Sequence, residues 1–268
     1  MKIIPNAKVQ DHATDSAPLQ QRDWIAGLEK GLGILEAFGD ANPRVTAAQM
    51  AILVGMTRTA ARRYLLTLAH LGYVHTDGKL FWLAPRVLRL GQAFIESSRL
   101  ARTVQPFLQR VTTATQETAY VSMMEGNDIV YVARNGPLRV MNTGFVLGAR
   151  VPAQVTAAGM VLLALRAQPH YDQWLAIQSL PTFTQFTITD KAHLSLQLAQ
   201  VRQQDWAISE QQLELNYRGI AVPVRDAKGH LVAALSVTMP LQGELQETAI
   251  ARVLDVLRDT AAAMRNLI

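Results

Sequence analysis

The chain of 268 residues contains no cysteine. That absence excludes disulfide bonds, thiol catalysis and cysteine-ligated zinc, and it fits a reducing compartment. No apolar stretch has the length needed to cross a bilayer. The first 22 residues mix proline, aspartate and amide side chains without an apolar core, so we interpret them as a flexible tail and not as a signal peptide. Together these features favour a cytoplasmic protein that does not enter a membrane.

The motifs of common catalytic and metal sites are also missing. The six histidines are scattered without the spacing of a ligand set, so we expect no metal site. There is no G-x-S-x-G nucleophile elbow, no phosphate-binding loop and no H-E-x-x-H motif. The glycine pair Gly31 and Gly33 follows no strand, which argues against a dinucleotide-binding loop. We therefore expect neither an enzyme nor a cofactor.

Acidic residues are scarce in one segment, from Arg44 to Arg102. This segment holds nine basic residues and two acidic ones, a net charge of +7. The whole chain has a net charge of +5, so the remainder is slightly acidic. A solvated basic surface is one explanation. The concentration of the charge in a single segment favours the other, which is a polyanion as partner.

Apolar residues at helical spacing predict three helices in the first third of the chain. The first begins at Asp23, in WIAGLEKGLGILEAF. Thr46 is placed to cap the second helix, which ends at Gly55. Thr57 is placed to cap the third helix only two residues later.

A predicted β-hairpin follows the third helix. The alternating runs YVHT and KLFWL are joined through Asp77-Gly78, a pair typical of hairpin turns. Three helices and a hairpin, with a short turn between the second and third helices, indicate a winged helix-turn-helix over 23–84. Pro85 suits the first turn of a helix, so we predict a linker helix over 85–99.

The third helix carries basic residues beside its apolar face. The residues at i, i+3, i+4 and i+7 define the buried face: Ala61, Tyr64, Leu65 and Leu68. In a helix-turn-helix the second helix reaches base edges, where arginine forks to guanine and threonine reaches phosphate or base. We therefore predict DNA contacts by Thr57, Arg58, Thr59, Arg62 and Arg63. Arg44 and Lys79 are candidates for phosphate contacts, with free surface cations as the alternative.

Beyond residue 100 the pattern changes to strands interleaved with helices. Two strand pairs are predicted, TAYVSMMEG with DIVYVARNG and GIAVPVRD with HLVAALSVTM. Helices are predicted in TAAGMVLLALRA, in TDKAHLSLQLAQVRQQD and at the end of the chain. This order indicates an α+β sensor-type domain over 100–268. Ser236 and Thr238 alternate with apolar neighbours, so we expect both hydroxyls on one face of their strand.

Five stretches together resemble the IclR family of bacterial transcription regulators, over Asp23 to Ile268. They are WIAGLEKGLGILEAF, TRTAARRYLLTLAHLGYV, DGKLFWLAPRVLRLG, LGARVPAQVTAAGMVLLA and GIAVPVRDAKGHLVAALSV. The first half is most similar to the branch that regulates p-hydroxybenzoate and protocatechuate catabolism. The resemblance implies a GAF-like antiparallel sheet with flanking helices as the effector domain. It also implies double-stranded operator DNA as a partner, and homodimers or dimers of dimers.

The resemblance further implies an effector pocket. Its positions in this chain are Ala157, Ala158, Ser209, Tyr217, Gly219, Ser236 and Thr238. Hydroxyls among apolar residues suit a ligand site, with a solvated strand face and no ligand as the alternative. Arg134 and Arg139 are the nearest cations for a carboxylate, either in the pocket or at its rim. We predict a compact, hydroxybenzoate-like acid as effector, with a short aliphatic carboxylate as second choice.

Three functions follow from these observations. The first is a ligand-responsive transcription regulator, the second an enzyme of the same fold, and the third an architectural DNA binder that senses nothing. The net charge of +7 in the segment from Arg44 to Arg102 argues against the enzyme. The polar residues Ser236 and Thr238 in a predicted strand argue against the architectural protein. We expect a dimer that reads a pseudo-palindrome, through the helix at Trp24 and the linker helix from Pro85 to Ser98. Leu88, Phe94 and Ile95 either join that dimer surface or pack on the chain's own core.

Overall fold

The computed structural model of the chain describes residues 20–136 and 145–268. Its contacts divide the chain into two compact units, with the division between Phe94 and Ile95. That division falls inside the predicted linker helix. No helix in the described ranges is long and apolar enough to span a membrane. Nor do histidines and acidic residues of these ranges gather into a cluster that could hold a metal ion.

The first unit combines three helices with a small antiparallel sheet. The helices are α1 (Ala26–Glu36), α2 (Ala47–Leu53) and α3 (Arg58–His70). The strands are β1 (Val45–Thr46), β2 (Val74–Thr76) and β3 (Leu80–Leu83). Their order in the sheet is β1-β3-β2, so the predicted hairpin gains a third strand that the sequence pattern does not reveal.

The threonines cap the helices as predicted. The Thr46 hydroxyl accepts a hydrogen bond from the Gln49 N–H at 3.3 Å, and the Gln49 side chain accepts one from the Thr46 N–H at 2.8 Å. This reciprocal pair is a capping box. The Thr57 hydroxyl accepts a hydrogen bond from the Ala60 N–H at 3.2 Å. Because both caps form, the short turn between α2 and α3 is fixed at each end.

The linker segment begins with a 3₁₀ turn at Pro85–Val87 and continues as α4 (Leu88–Ser97). Six further helices belong to the second unit. They are α5 (Arg99–Thr103), α6 (Gln105–Thr115), α7 (Ala157–Ala164), α8 (Gln168–Ile177), α9 (Lys191–Gln204) and α10 (Gln246–Met264).

A six-stranded antiparallel sheet forms the centre of the second unit. Its strands are β4 (Thr118–Glu125), β5 (Asp128–Asn135), β6 (Arg150–Pro152), β7 (Ala207–Glu210), β8 (Tyr217–Arg225) and β9 (Leu231–Pro240). The order is β6-β5-β4-β9-β8-β7. The two predicted strand pairs are confirmed, and β4 joins them by pairing with β9. The short edge strands β6 and β7 are additions to the predicted sheet.

Each face of this sheet is covered by a separate hydrophobic layer. Helices α6 and α10 cover one face, with Leu108 and Leu257 fully buried. Helices α7, α8 and α9 cover the other, with Met160 fully buried. All eight residues of α7 are buried. A Cβ on Gly159 would collide with the backbone carbonyl of Ala153, so only glycine allows α7 to approach so closely. This tight layer contains two of the predicted effector residues, Ala157 and Ala158.

Candidate DNA-binding face and effector site

The basic side chains at the start of α3 all face solvent. Arg58, Arg62 and Arg63 are exposed, and none of them forms an ion pair with another described residue. Ala61 and Leu65, on the opposite face of the helix, are completely buried. The arginine donors are therefore available to an anionic partner outside the chain.

The two predicted threonines lie beside these arginines. The oxygen of the Thr57 hydroxyl is occupied by the helix cap, which leaves its proton to donate to an external acceptor. Thr59 is exposed on the first turn of α3. Both positions suit hydrogen bonds to phosphate or to a base edge.

The hairpin of β2 and β3, which we call the wing, has a turn that is ordered by Asp77. Its carboxylate accepts hydrogen bonds from the N–H groups of Leu80 at 2.7 Å and Lys79 at 2.9 Å. These backbone bonds hold the pKa of Asp77 below its ordinary value, so the carboxylate stays ionised and bound to the turn. Gly78 adopts φ of +97°, a left-handed conformation that glycine accepts without strain. The exposed Lys79 side chain thus stands on a well-defined turn.

Strand β1 brings Arg44 to the outer face of the wing. Val45 pairs with Phe81, so Arg44 lies beside Trp82, with its guanidinium carbon 4.4 Å from the ring centre. Such a cation–π contact contributes about 0.5–1 kcal/mol at an exposed site. His75 pairs with Trp82 from β2, with the ring centres 6.0 Å apart. Arg44 is therefore held against the wing, which disfavours its interpretation as a free surface cation.

Three polar residues of the second unit form a row beneath the α7 layer. Tyr120 of β4 pairs with Ser236 of β9 on one side and with Arg134 of β5 on the other. Directly paired residues have Cβ atoms about 4.5–5.5 Å apart and point to the same face of the sheet. We call Ser236, Tyr120 and Arg134 the polar row. Tyr120 is not among the residues predicted from the sequence, since it follows an alanine in a strand pattern that resembles ordinary core.

The hydroxyl of Tyr120 is buried without a partner. The residue is 0% exposed, and its hydroxyl oxygen makes no hydrogen bond within the described part of the chain. The guanidinium carbon of Arg134 lies 5.9 Å from the ring centre. Burial raises the pKa of the Tyr120 phenol, and the nearby Arg134 side chain and Phe145 backbone act in the opposite direction. The phenol therefore stays protonated near neutral pH and is available as a donor.

Aromatic rings border the polar row. The ring centre of Tyr131 lies 4.7 Å from that of Tyr120, and Phe145 stacks on Tyr131 at 5.0 Å. Tyr217 is partly buried and close enough to raise the pKa of Tyr120 further. Ser122 follows on the same face of β4, and its fully buried hydroxyl also has no described partner. The site thus combines aromatic surface with unpaired polar groups, as ligand sites do.

Several predicted pocket residues hold α7 on the sheet. The Ser209 hydroxyl donates a hydrogen bond to the Val155 carbonyl at 2.8 Å. A Cβ added to Gly219 would lie 3.5 Å from the Cβ of Ala157, so the two residues face each other in close packing. Ala158 is also buried. These contacts give the four predicted positions, Ala157, Ala158, Ser209 and Gly219, a packing role beside any contact with a ligand.

One of the backbone N–H groups in the first turn of α7, which could otherwise bind an anion, already has a partner within the chain. The Thr156 hydroxyl accepts a hydrogen bond from the Gly159 N–H at 3.0 Å, which leaves the first two N–H groups of the helix for an anion. Thr238 is partly buried and pairs with Thr118 and Gly219. Arg139 lies outside the described residues.

A surface depression of about 190 Å³ occurs elsewhere in the second unit, beside α10. Its lining includes Arg225, Arg258 and Arg265, and none of the predicted effector residues. Asp205 neutralises Arg225 through two hydrogen bonds of 2.6 and 2.7 Å. The unpaired hydroxyls favour the polar row over this depression as the candidate effector site.

Two family models match the chain. The model described as the bacterial transcriptional regulator IclR C-terminal domain matches residues 92–266, and the IclR helix-turn-helix domain matches residues 27–78. The p-hydroxybenzoate hydroxylase transcriptional activator of Acinetobacter baylyi is 38% identical over 262 residues, covering 96% of this chain and 97% of that protein. The Pca operon regulatory protein of the same organism is 32% identical over 271 residues, covering 100% and 98%.

A solved structure of similar sequence corresponds to the second unit. It is the inducer-binding domain of the PobR transcription factor from Acinetobacter, as a double mutant in complex with 3-hydroxybenzoic acid. The TM-score is 0.59 and the identity 33%, over 62% of this chain and 98% of that chain. The relatives are named as regulators, which excludes the enzyme among the three alternatives. With its helix-turn-helix unit and its antiparallel effector-type sheet, the chain belongs to the IclR family of bacterial transcriptional regulators.

Proposed function

We propose that this regulator senses a hydroxybenzoate-like aromatic acid and changes its binding to operator DNA in response. The observation that carries this proposal is the polar row, which places Arg134, Tyr120 and Ser236 side by side under a buried layer bordered by aromatic rings. The names of two relatives, which refer to p-hydroxybenzoate and Pca genes, support the same class of effector. A regulator of bacterial operators works where the chromosome is, in the cytoplasm.

The chemistry of the row suits an aromatic acid. The Arg134 guanidinium provides paired donors for a carboxylate. Tyr131, Phe145 and Tyr217 provide aromatic surface for a ring, which a short aliphatic acid would leave largely uncovered. Ser236 supplies a hydroxyl for the polar substituent of the ring. An aromatic acid uses more of this site than an aliphatic one.

A ligand panel tests the proposal. The melting temperature of the full chain is measured with 4-hydroxybenzoate, 3-hydroxybenzoate, benzoate and pyruvate, because a ligand of the folded state stabilises it by mass action. We expect the hydroxybenzoates to raise the melting temperature with concentration and to change the operator affinity in a mobility-shift titration. A shift with pyruvate alone would favour the aliphatic alternative. The absence of a shift with every acid would overturn the proposal.

For DNA, we propose that α3 enters the major groove. Arg58, Arg62 and Thr59 then face base edges, and Thr57 and Arg63 face base edges or the adjoining phosphates. Arg44 and Lys79 are proposed to contact phosphates from the wing. The support is their common exposure and the buried face opposite the arginines. Footprinting of the operator with the parent and with the Arg62→Ala variant tests this arrangement.

We also propose that the protein is a homodimer or a dimer of dimers. The support is an apolar face formed by Ile25, just before α1, and by Leu28 and Leu32 of α1, which are 69%, 60% and 46% exposed. Leu88 in the linker helix is 75% exposed too, which favours the dimer surface over packing on the chain's own core for this residue. Such a patch marks an interaction site. Light scattering should give a dimer or tetramer for the parent and a smaller species for Leu28→Glu. A parent that remains monomeric on its operator would contradict the proposal.

A further inference from the structure

Tyr120 is the buried centre of the polar row. We propose that its hydroxyl and the Arg134 guanidinium together bind the carboxylate of the effector, and that Tyr120 selects an acid over the matching neutral amide. This inference rests on the proposed function and adds a residue and a role to it.

Burial is the first argument. Tyr120 is 0% exposed and its hydroxyl makes no hydrogen bond to a described residue. Buried polar groups are paired in nearly all folded proteins, and an unpaired one destabilises the folded state. Tyr171 in the same hydrophobic layer behaves in the ordinary way, since its hydroxyl donates a hydrogen bond to Ser195 at 3.1 Å. A ligand that brings an acceptor to Tyr120 would remove the destabilisation.

Position is the second argument. Tyr120 and Arg134 are directly paired across β4 and β5, and the guanidinium carbon lies 5.9 Å from the Tyr120 ring centre. A carboxylate has two oxygens and accepts hydrogen bonds at both. One carboxylate oxygen can therefore accept hydrogen bonds from the Arg134 guanidinium, and the other can accept one from the Tyr120 hydroxyl. The protonated phenol acts as donor, since burial raises its pKa.

Selectivity follows from the kinds of donor. Both Tyr120 and Arg134 offer hydrogens, which suits a carboxylate that only accepts. An amide brings two donors of its own and would leave one group of the pair facing a like donor. Loss of the Tyr120 hydroxyl should therefore weaken the binding of the acid much more than the binding of the amide.

The test compares two tyrosine-to-phenylalanine variants of the full chain. We measure the melting temperature without ligand, and by calorimetry the Kd of 4-hydroxybenzoate and of 4-hydroxybenzamide. For Tyr120→Phe we expect an unchanged or higher melting temperature, about tenfold weaker binding of the acid, and a similar loss of acid-over-amide selectivity. For the control Tyr171→Phe we expect a lower melting temperature and unchanged selectivity, because it removes a paired hydroxyl.

The opposite results would overturn the inference. If Tyr120→Phe lowers the melting temperature and leaves the affinity for the acid intact, the hydroxyl is structural. Equal weakening of acid and amide would show that it does not contact the carboxylate. If the parent binds neither this acid nor any other in the panel, the proposed effector class fails and the inference with it. If the parent binds the acid and Tyr120→Phe binds it equally well, only the inference fails.

Discussion

The residues proposed to contact DNA and those proposed to contact the effector differ in exposure. At the start of α3, Arg58 and Arg62 are exposed and have no described ion-pair partner. In the second unit, Tyr120 and Ser236 are 0% and 4% exposed, beneath a helix that is buried on every side. Surface arginines can be changed at little cost to folding. Polar groups inside a packed layer affect stability and ligand binding together.

The two units also differ in how closely their helices are packed. Near α7, the absent Cβ of Gly159 is required by the adjacent carbonyl of Ala153. In α1, nothing lies within 4 Å of the position that a Cβ on Gly33 would take. A Cβ therefore has room at Gly33 on the surface of α1, whereas the contact of α7 with Ala153 leaves no room for one at Gly159.

The largest expected effect tests this difference in packing. Gly159→Ala should lower the free energy of unfolding of the second unit by about 3 kcal/mol, because α7 or Ala153 must move. Gly33→Ala should leave stability unchanged or raise it by about 0.5–1 kcal/mol, since alanine favours a helix. Urea unfolding of both variants checks the pair. Equal behaviour of the two glycines would remove the contrast between the units.

The second prediction separates the two binding activities. Arg62→Ala should weaken specific operator binding by about 1–3 kcal/mol if the arginine reads a guanine. It should leave the response of the melting temperature to 4-hydroxybenzoate intact. Arg110→Ala, which removes an exposed arginine of α6, is the charge-matched control and should leave operator affinity nearly unchanged. Mobility shifts at fixed salt give the affinities, and an Arg62→Ala affinity equal to that of Arg110→Ala would contradict the docking.

The reciprocal variant is Ser236→Ala. This change should weaken effector binding by about 1–3 kcal/mol, because the ligand group that hydrogen-bonds to Ser236 would be buried without a partner. Operator affinity without effector should match that of the parent. Calorimetry and a mobility shift on the same preparation check both statements. If the effector response is unaffected, Ser236 does not belong to the pocket.

The sequence predicts the first unit well because the deciding signals are local. The caps at Thr46 and Thr57 and the turn at Asp77-Gly78 each depend on residues within four positions. All three occur where predicted. Strand β1 is missed because two residues carry too little pattern, and its pairing with β3 joins residues that are far apart in the chain. The contact between Arg44 and Trp82 is therefore invisible in the sequence.

The second unit shows where such reasoning ends. The two strand pairs and α7 follow from alternation and apolar runs, and they are confirmed. The polar row depends on the pairing of β4 with β9, which no local pattern specifies. Tyr120 consequently appears as a core residue in the sequence. Only the structure reveals that its hydroxyl lacks a partner.

The fourth prediction concerns the two cations of the wing. Lys79→Ala should weaken binding to all DNA sequences about equally. It should also reduce the slope of log affinity against log salt concentration by roughly one unit. Arg44→Ala should have the same effect, and Trp82→Leu should reproduce part of it by removing the surface that holds Arg44. Binding titrations at several salt concentrations on operator and random DNA measure the slopes. Unchanged slopes in all three variants would show that the wing does not touch phosphates.

The smallest expected effect concerns acid stability of the second unit. Arg252 hydrogen-bonds both oxygens of Glu244 at 3.0 Å, and these bonds hold the pKa of Glu244 below its ordinary value of 4.5. A carboxyl with a lowered folded pKa stabilises the fold above the unfolded pKa, and the stabilisation is lost as pH falls through the folded pKa. Glu244→Gln should therefore cost roughly 1 kcal/mol or less at pH 7, and this difference from the parent should shrink below pH 4.5. The control Glu247→Gln changes an exposed carboxylate in the first turn of α10 that forms no described ion pair, so its effect on stability at pH 7 should be smaller. Urea unfolding at pH 7, 5, 4 and 3 gives both differences, and a Glu244→Gln difference that stays constant throughout would show that the ion pair does not stabilise the fold.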